Sequence, residues 1–100
     1  MSAQILYTFQ FEGALYYAGS TDPFARGQCS VSGERMTLQD TFGKTLHIPF
    51  GSLNAIEPKV GIFRKDLRIT TTNPAAIVIS FQSKDEVFEA ARMINAAMSA

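Results

Sequence analysis

Two side chains of this chain have the chemistry of a nucleophile or a general base, and each type occurs once. Strict alternation in a predicted strand places the single histidine, His47, on the solvent side, opposite Leu46 and Ile48. The single cysteine, Cys29, shares a strand face with Val31, where a thiol packs as a small hydrophobe. A nucleophilic thiolate needs a neighbouring base or cation, and the local sequence supplies neither. We therefore expect no catalytic residue.

The carboxylates and glycines do not form the pattern of a metal, phosphate or paired-acid site. Asp85 and Glu86 are the only adjacent carboxylates, and their position at the start of a predicted helix explains them. There is no glycine-rich phosphate loop and no metal-ligand spacing. One cysteine also excludes an intramolecular disulfide and a cysteine-based zinc site. The sequence thus predicts a protein that is not an enzyme and that needs neither cofactor nor metal.

The most distinctive segment outside the predicted core is the loop 59–68. Its four basic residues surround the apolar Val60, Ile62 and Phe63. These apolar side chains either fold back over an open end of the sheets, which we favour slightly, or project as an interaction surface. A projecting loop would suit an anionic membrane or an acidic protein partner, although about 1 kcal/mol per basic residue gives only weak docking. The predicted lipid- or partner-binding residues are Lys59, Ile62, Phe63, Arg64, Lys65 and Arg68.

A second predicted interaction surface lies on the C-terminal helix. It is formed by Ala90, Met93 and Ala97. The small alanine side chains would let a partner helix or a second copy of the chain approach closely. In the alternative interpretation, the two alanines flank a wide core-facing stripe. Both interpretations depend on which face of the helix is buried.

Alternating apolar residues predict about seven short strands within residues 5–82. The first run is interrupted at Gly13 and resumes with Leu15, Tyr16 and Tyr17; its aromatics are expected mostly in the core, with Tyr16 pointing away from the other two. Pro23 then predicts a turn, because proline has no N–H for a strand ladder. Further strands are predicted at 28–32, 35–39, 45–48, 53–57 (with a bulge), 66–72 and 76–82, the last two joined by a turn at 72–74.

After residue 82 the apolar period changes from two to nearly four, which predicts a helix over about 83–98. Ser83 and Glu86 form the Ser-x-x-Glu pattern of a capping box, and Glu89 can pair with Arg92 at i, i+3. A helix of this length is not stable alone, so its apolar stripe must dock on the sheets. The stripe consists of Val87, Phe88, Ala91, Ile94 and Met98.

Length and charge describe an ordinary soluble domain. The 100 residues contain nine Lys and Arg and nine Asp and Glu, so the charge balance does not favour nucleic acid as a partner. No basic stretch leads into an apolar run at the N-terminus, and no apolar run approaches the ~20 residues that span a bilayer. We expect a single cytoplasmic domain over residues 1–100, and Met1 favours a complete short protein.

Runs of strands followed by one helix predict a mainly β fold: a seven-stranded antiparallel, partly open barrel capped by a C-terminal α-helix. Three segments resemble GRAM and pleckstrin-homology-like domains. Residues 27–38 have the glycine, strand, turn, arginine and strand that open the family's fold. Residues 48–57 begin with Ile48-Pro49 and end with Ile56-Glu57, which resembles the corresponding segment of the family. Residues 79–88 resemble the family's last strand and its capping helix. GLUE domains and bacterial relatives share this scaffold.

The resemblance implies a non-catalytic adaptor for phosphoinositides, peptides or protein partners. Phosphoinositide-binding members carry clustered basic residues, whereas the segment 20–27 has only Arg26 and the turn near Gly43 has only Lys44. We therefore do not expect a specific inositol-phosphate pocket. The leading hypothesis is a module that binds a protein or peptide, ubiquitin-like proteins included. The alternatives are peripheral association with an anionic membrane through the loop 59–68, and self-assembly into a homo-oligomer.

Overall fold

The computed structural model describes residues 4–72 and 75–99. Within these ranges the chain forms nine strands, one short 3-10 turn and one helix. The strands are β1 (Ile5–Phe11), β2 (Gly13–Tyr17), β3 (Thr21–Phe24), β4 (Gly27–Ser32), β5 (Arg35–Asp40), β6 (Thr45–Pro49), β7 (Leu53–Val60), β8 (Lys65–Thr71) and β9 (Ala76–Ser80). The 3-10 turn is Phe50–Ser52, and helix α1 is Lys84–Met98.

The strands form two antiparallel sheets that meet at one corner. One sheet has the order β1-β4-β5-β6 and the other the order β3-β2-β9-β8-β7. The chain passes between the sheets at three places. Two are bends in nearly continuous strands: β1 continues into β2 across Glu12, and β3 continues into β4 across Ala25 and Arg26. The third is the 3-10 turn Phe50–Ser52 between β6 and β7. On the two sides of this corner, Phe11 pairs with Gly27 in the first sheet, and β2 pairs with β3 in the second.

The predicted mainly β fold with one C-terminal helix is confirmed, but the count of seven strands is wrong. The two bends divide the first part of the chain into more segments, and the described residues form two sheets without closing a barrel. An alternating pattern reports which residues share a face. It does not report that the strand has left one sheet and joined another, because both sheets bury one face.

Pro23 lies in a strand and not in the predicted turn. It belongs to β3, which is an edge of the five-stranded sheet, where it pairs with Leu15 of β2. An edge strand tolerates proline because only one side of the strand needs ladder hydrogen bonds. The chain instead reverses at 18–20, where the Ala18 N–H donates to the Ser20 carbonyl at 3.1 Å and Gly19 has a φ of 84°.

The aromatic residues of β2 face in the direction opposite to the prediction. Tyr16 is half-buried against the core and pairs with the buried Ile77, whereas Leu15 and Tyr17 are exposed on the outer face. The bend at Glu12 is the reason. It moves the chain into the second sheet and inverts the phase of the alternation relative to β1.

Gly27 lets β4 and β5 approach each other closely at the corner. It pairs with Asp40 of β5. A Cβ at this position would lie 2.6 Å from the Asp40 Cα and 2.9 Å from the carbonyl carbon of Gln39. No real Cβ has backbone neighbours this close, so the local strand spacing requires glycine.

Helix α1 begins where the capping pattern predicts. The Ser83 Oγ accepts a hydrogen bond from the Glu86 N–H at 3.3 Å, and the Ser83 hydroxyl donates to the Glu86 carboxylate at 3.3 Å. The predicted pair on the exposed face is also confirmed, since the Arg92 Nε donates to the Glu89 Oε2 at 3.1 Å. The helix packs on β1, β4, β7 and β8, and so contacts both sheets.

The buried face of α1 is rotated relative to the prediction. Phe88 and Met98, which were expected in the docking stripe, are 50% and 42% exposed. Ala90 and Ala97 are buried in their place, because small side chains let the helix axis lie close to the sheets. The buried helix residues are Val87, Ala90, Ala91, Ile94 and Ala97.

The hairpin of β8 and β9 is confirmed, with Leu67 paired to Ile79 and Ile69 paired to Ile77. All four side chains are buried in the core between the sheets. The predicted bulge in β7 is also confirmed by a register shift between Leu53 and Ala55. The predicted turn at 72–74 involves residues 73 and 74, which lie outside the described residues.

Candidate functional site

Strands β7 and β8 form a hairpin whose tip is the segment 61–64, called the hairpin tip below. Val60 pairs with Lys65 at the end of the ladder, and the Gly61 N–H donates to the Arg64 carbonyl at 3.0 Å. The predicted loop 59–68 is therefore mostly strand. Strand β7 continues through Pro58 because β7 is an edge of its sheet.

The hairpin tip projects into solvent. Ile62 is 86% exposed and Phe63 is 94% exposed. The favoured prediction, that these side chains fold back over an open end of the sheets, is wrong. The β7–β8 ladder extends to the residues directly before and after the tip, and this pairing holds the tip beyond the packed part of the sheets.

Ion pairs bind two of the basic residues near the tip to carboxylates on the same hairpin. The Lys59 Nζ lies 3.3 Å from the Glu57 Oε2, and the Arg64 Nε lies 3.6 Å from the Asp66 Oδ2. All four side chains keep substantial solvent contact, so each pair contributes little to stability. The pairs do reduce the positive field that these two cations present to a ligand.

The remaining basic residues of the site, Lys65 and Arg68, are exposed, and neither forms an ion pair with another residue in the ranges 4–72 and 75–99. Residues 57–68 include four basic and two acidic side chains, so the hairpin has a formal charge of +2. The six predicted residues thus lie together on one hairpin. Its tip is apolar and its stem is weakly cationic.

A groove of about 540 Å³ lies beside the hairpin on the outer face of the five-stranded sheet. Arg64 and Arg68 line one side of it, and the exposed Leu15 and Tyr17 line the other. The sequence prediction missed this face because it assigned Tyr17 to the core. Alternation after Gly13 separates Tyr16 from Leu15 and Tyr17, but it does not report which of the two faces is buried.

The nucleophile and base considered from the sequence lie on opposite faces of the four-stranded sheet. Cys29 is buried in the core, and desolvation by burial raises the pKa of its thiol to about 12, despite a backbone hydrogen bond from Thr37 that lowers it. His47 is exposed, with its Nδ1 2.9 Å from the Thr37 Oγ1. The imidazole therefore cannot activate this thiol.

The predicted interaction strip on the helix is not a surface. Ala90 and Ala97 are buried in the core, and Met93 is only half-exposed. The alternative interpretation, in which the alanines belong to a wide core-facing stripe, is the one observed. The rotation of α1 described above is the physical reason.

Phe42 is an exposed aromatic residue that the sequence prediction did not single out. It is 86% exposed in the turn between β5 and β6. The signal in the sequence was an aromatic residue between Thr41 and Gly43, in a turn where small and polar residues usually occur. Gly43 has a φ of 84°, which closes the turn.

The buried carboxylate of Asp40 holds this turn in place. It accepts hydrogen bonds from the N–H groups of Phe42 and Lys44, both at 2.9 Å, and from the Ala25 N–H at 3.1 Å. Desolvation raises the pKa of Asp40, but the three N–H donors and the charge of Lys44 together outweigh it, so the pKa lies below its ordinary value. The role of this carboxylate is structural, because its oxygens accept hydrogen bonds from backbone N–H groups.

Within the described part of the chain, no group of three or more His, Cys, Asp or Glu side chains is placed to hold a metal ion. No helix in the same ranges is both long and apolar enough to cross a bilayer.

No protein-family model matches this chain, and no curated protein matches it. Among solved structures, the chain is similar to the crystal structure of the C-terminal domain of an unknown protein from Leishmania infantum. The TM-score is 0.65 at 16% sequence identity, and the match covers 92% of this chain and 84% of that chain. At this identity the similarity shows a shared fold and carries no information on function.

Proposed function

We propose that this protein is a non-catalytic module that attaches reversibly to anionic membrane surfaces by inserting its hairpin tip. The observation that carries the proposal is the near-complete exposure of two adjacent large apolar side chains, Ile62 and Phe63, at the end of a hairpin. Exposed apolar residues scattered singly are common on protein surfaces. Two together on a projecting tip are instead typical of a surface that is covered by a lipid or a partner.

The energetics support weak and reversible binding. Burying an Ile or Phe side chain is worth about 1.5–3 kcal/mol each, and each uncompensated basic residue near an anionic leaflet adds about 1 kcal/mol. With a hairpin charge of +2, the total is comparable to the marginal binding that one acyl chain provides. A stable attachment would need a second signal or several copies.

The backbone of the tip suits a medium with few hydrogen-bond partners. The Gly61 N–H and the Arg64 carbonyl already bond to each other, and unpaired backbone groups are costly in lipid. The exposed Lys65 follows the tip directly and would lie at headgroup depth when Ile62 and Phe63 are inserted. We further propose that the module works in a reducing compartment, at the cytoplasmic face of a membrane.

We also propose that the fold is a pleckstrin-homology-like variant. The nine strands fall into seven continuous runs when β1 with β2, and β3 with β4, are each counted as one bent strand. Seven runs in two antiparallel sheets followed by one helix match the order that the sequence resemblance implied. A solved structure of a relative with an assigned family, superposed over both sheets and α1, would test this.

Vesicle co-sedimentation tests the membrane proposal, with phosphatidylcholine alone and with phosphatidylserine added. We expect binding to the anionic vesicles to be about thirtyfold tighter than to phosphatidylcholine alone. The variant Ile62→Ser/Phe63→Ser should weaken it by about a hundredfold or more, since it removes most of the buried apolar area. The matched control is Ile5→Ser/Leu6→Ser, which replaces two exposed apolar neighbours on β1. This control should bind like the wild type.

Charge reversal separates the electrostatic contribution. Lys65→Glu should weaken binding to anionic vesicles several-fold and reduce its salt dependence, whereas Arg35→Glu, at the hairpin between β4 and β5, should leave binding unchanged. Absence of wild-type binding, or equal binding by the Ile62→Ser/Phe63→Ser variant, would refute the proposal. Binding to a protein in place of vesicles would assign the tip to a protein partner.

A further inference from the structure

Strand β6 is an edge of the four-stranded sheet, and it lacks the devices that protect both edges of the five-stranded sheet. Strand β3 carries Pro23 in its interior, and β7 carries Pro58 as well as its bulge. Prolines and bulges blunt an edge against pairing with another strand. Strand β6 contains no charged residue, and its proline, Pro49, is its last residue.

Two hydrogen bonds at the ends of the β5–β6 ladder determine its pairing pattern. The Asp40 N–H donates to the Lys44 carbonyl, and the Phe50 N–H donates to the Glu34 carbonyl, both at 2.9 Å. In an antiparallel ladder, hydrogen-bonded pairs alternate with non-hydrogen-bonded pairs. The register between these two ends is continuous, so every second residue of β6 bonds to β5.

The same pattern defines the groups on the open side of β6. Leu46 and Ile48 fall in hydrogen-bonded pairs, and their backbone groups face β5. Thr45, His47 and Pro49 fall between them, and their backbone groups point away from the sheet. Within residues 4–72 and 75–99, no strand pairs with this side of β6. The open edge thus offers the N–H and C=O of Thr45 and of His47, and the C=O of Pro49.

A groove of about 310 Å³ runs beside this edge, between β6 and the five-stranded sheet. Leu46 and Ile48 line it from β6, and Tyr16 and Ile77 line it from the other sheet. Among the described residues, its lining includes no Lys, Arg, Asp or Glu. Ser52 and Thr72 also line the groove. It therefore matches uncharged side chains, with apolar ones beside Leu46 and Ile48, and would penalise a charged one through desolvation.

We propose that β6 binds an extended segment of a partner protein by strand addition. A segment laid antiparallel to β6 makes five backbone hydrogen bonds: two with Thr45, two with His47 and one with the Pro49 carbonyl. Its side chains opposite Leu46 and Ile48 face the groove, so the recognised pattern is two apolar residues separated by one residue. This site is separate from the hairpin tip and does not depend on the membrane proposal.

A second copy of the chain fits this edge less well than a foreign segment. In a two-fold pairing of β6 with itself through His47, Thr45 lies opposite Pro49 of the other copy. Proline has no N–H, so the Thr45 carbonyl of each copy would have no donor. A two-fold pairing through Leu46 avoids this mismatch, because Thr45 then lies opposite His47, but it places the Pro49 carbonyl opposite Gly43, whose N–H already donates to the Asp40 carbonyl. A foreign strand with ordinary residues at these positions satisfies all five open groups.

Amide hydrogen exchange on the free protein tests the open edge. The amides of Thr45 and His47 should exchange at nearly the rate of an unstructured peptide, whereas those of Leu46 and Ile48 should be protected because they are bonded to β5. Equal protection of His47 and Leu46 in the monomer would refute the assignment of an open edge.

Selection from a displayed library of random heptapeptides tests the binding itself. We expect enrichment of peptides with two apolar residues separated by one, and protection of the Thr45 and His47 amides when a selected peptide is added. The variant His47→Pro removes an outward N–H without breaking a bond to β5, and should weaken binding about tenfold or more. His47→Ala keeps the N–H and should bind within about threefold of the wild type.

Three results would overturn strand addition: no enriched peptide, undiminished binding by a folded His47→Pro variant, or equal loss in His47→Ala. Circular dichroism establishes whether His47→Pro is folded. If it is not, protection of the two amides on peptide addition decides the question alone, since a ligand elsewhere would leave both amides exchanging.

Discussion

Replacing Gly27 with alanine would place a methyl group inside the backbone of the neighbouring strand. The added Cβ would lie 2.6 Å from the Asp40 Cα and 2.9 Å from the Gln39 carbonyl carbon, whereas carbon atoms pack at about 3.5–4.0 Å. The neighbours are backbone atoms and not the end of a flexible side chain. Strands β4 and β5 must therefore separate by about 1 Å at the corner.

The loss of stability in Gly27→Ala depends on the contacts that this strand separation disturbs. Overpacking a core typically costs about 1–3 kcal/mol, and a backbone clash lies at the upper end of that range. The shift also moves Asp40, whose carboxylate accepts three backbone hydrogen bonds from the adjoining turns. We expect Gly27→Ala to lower the free energy of unfolding by about 3 kcal/mol, which corresponds to a decrease in Tm of about 12–24 °C for a domain of this size.

Thermal and urea unfolding followed by circular dichroism would measure the effect. The matched control is Gly33→Ala: a Cβ added to Gly33 would have no heavy atom within 4 Å beyond its chain neighbours, and Gly33 is not among the glycines with positive φ. This control should be within about 0.5 kcal/mol of the wild type or slightly more stable. A Gly27→Ala variant within about 1 kcal/mol of wild type would refute the close approach at the corner.

Two further predictions concern buried ionisable groups. Burial raises the pKa of Cys29 from 9.0 to about 12, so its thiol should resist a disulfide reagent at pH 8 in the native protein and react promptly in denaturant. Because the unfolded thiol ionises first, stability should fall as the pH rises above 9; rapid native labelling would contradict this. The pKa of Asp40 lies below its ordinary 3.8, so its stabilising contribution should be present above pH 3.8 and be lost as the pH falls through the folded-state pKa. The variant Asp40→Asn should be less stable at neutral pH and show a shallower loss of stability in acid, and identical acid unfolding curves for the two proteins would argue against the role given to this carboxylate.

Local patterns were sufficient for the features that depend on local chemistry. The start of α1 follows from a side chain that bonds an amide three residues away, so Ser83 and Glu86 predicted it. The inward position of Cys29 and the outward position of His47 follow from alternation within single strands. The composition of the β7–β8 hairpin, with Ile62 and Phe63 among basic residues, was also visible in the sequence.

Features that depend on which surfaces meet required the tertiary structure. The bend at Glu12 inverts the phase of β2 and exposes Tyr17, because the chain changes sheets there. The face of α1 that is buried depends on how closely the helix approaches both sheets, and this favours Ala90 over Phe88. Pro23 is tolerated because β3 has become an edge.

The amino-acid sequence by itself determined the class of the fold, the start of the helix and the apolar and basic character of the 59–68 segment, since these depend on residue types and their spacing. Only the tertiary structure decided that Ile62 and Phe63 project and that the backbone groups of Thr45 and His47 remain open on β6. The physical reason is that exposure and free hydrogen-bonding capacity depend on which strands pair, and pairing joins residues that are distant in the chain.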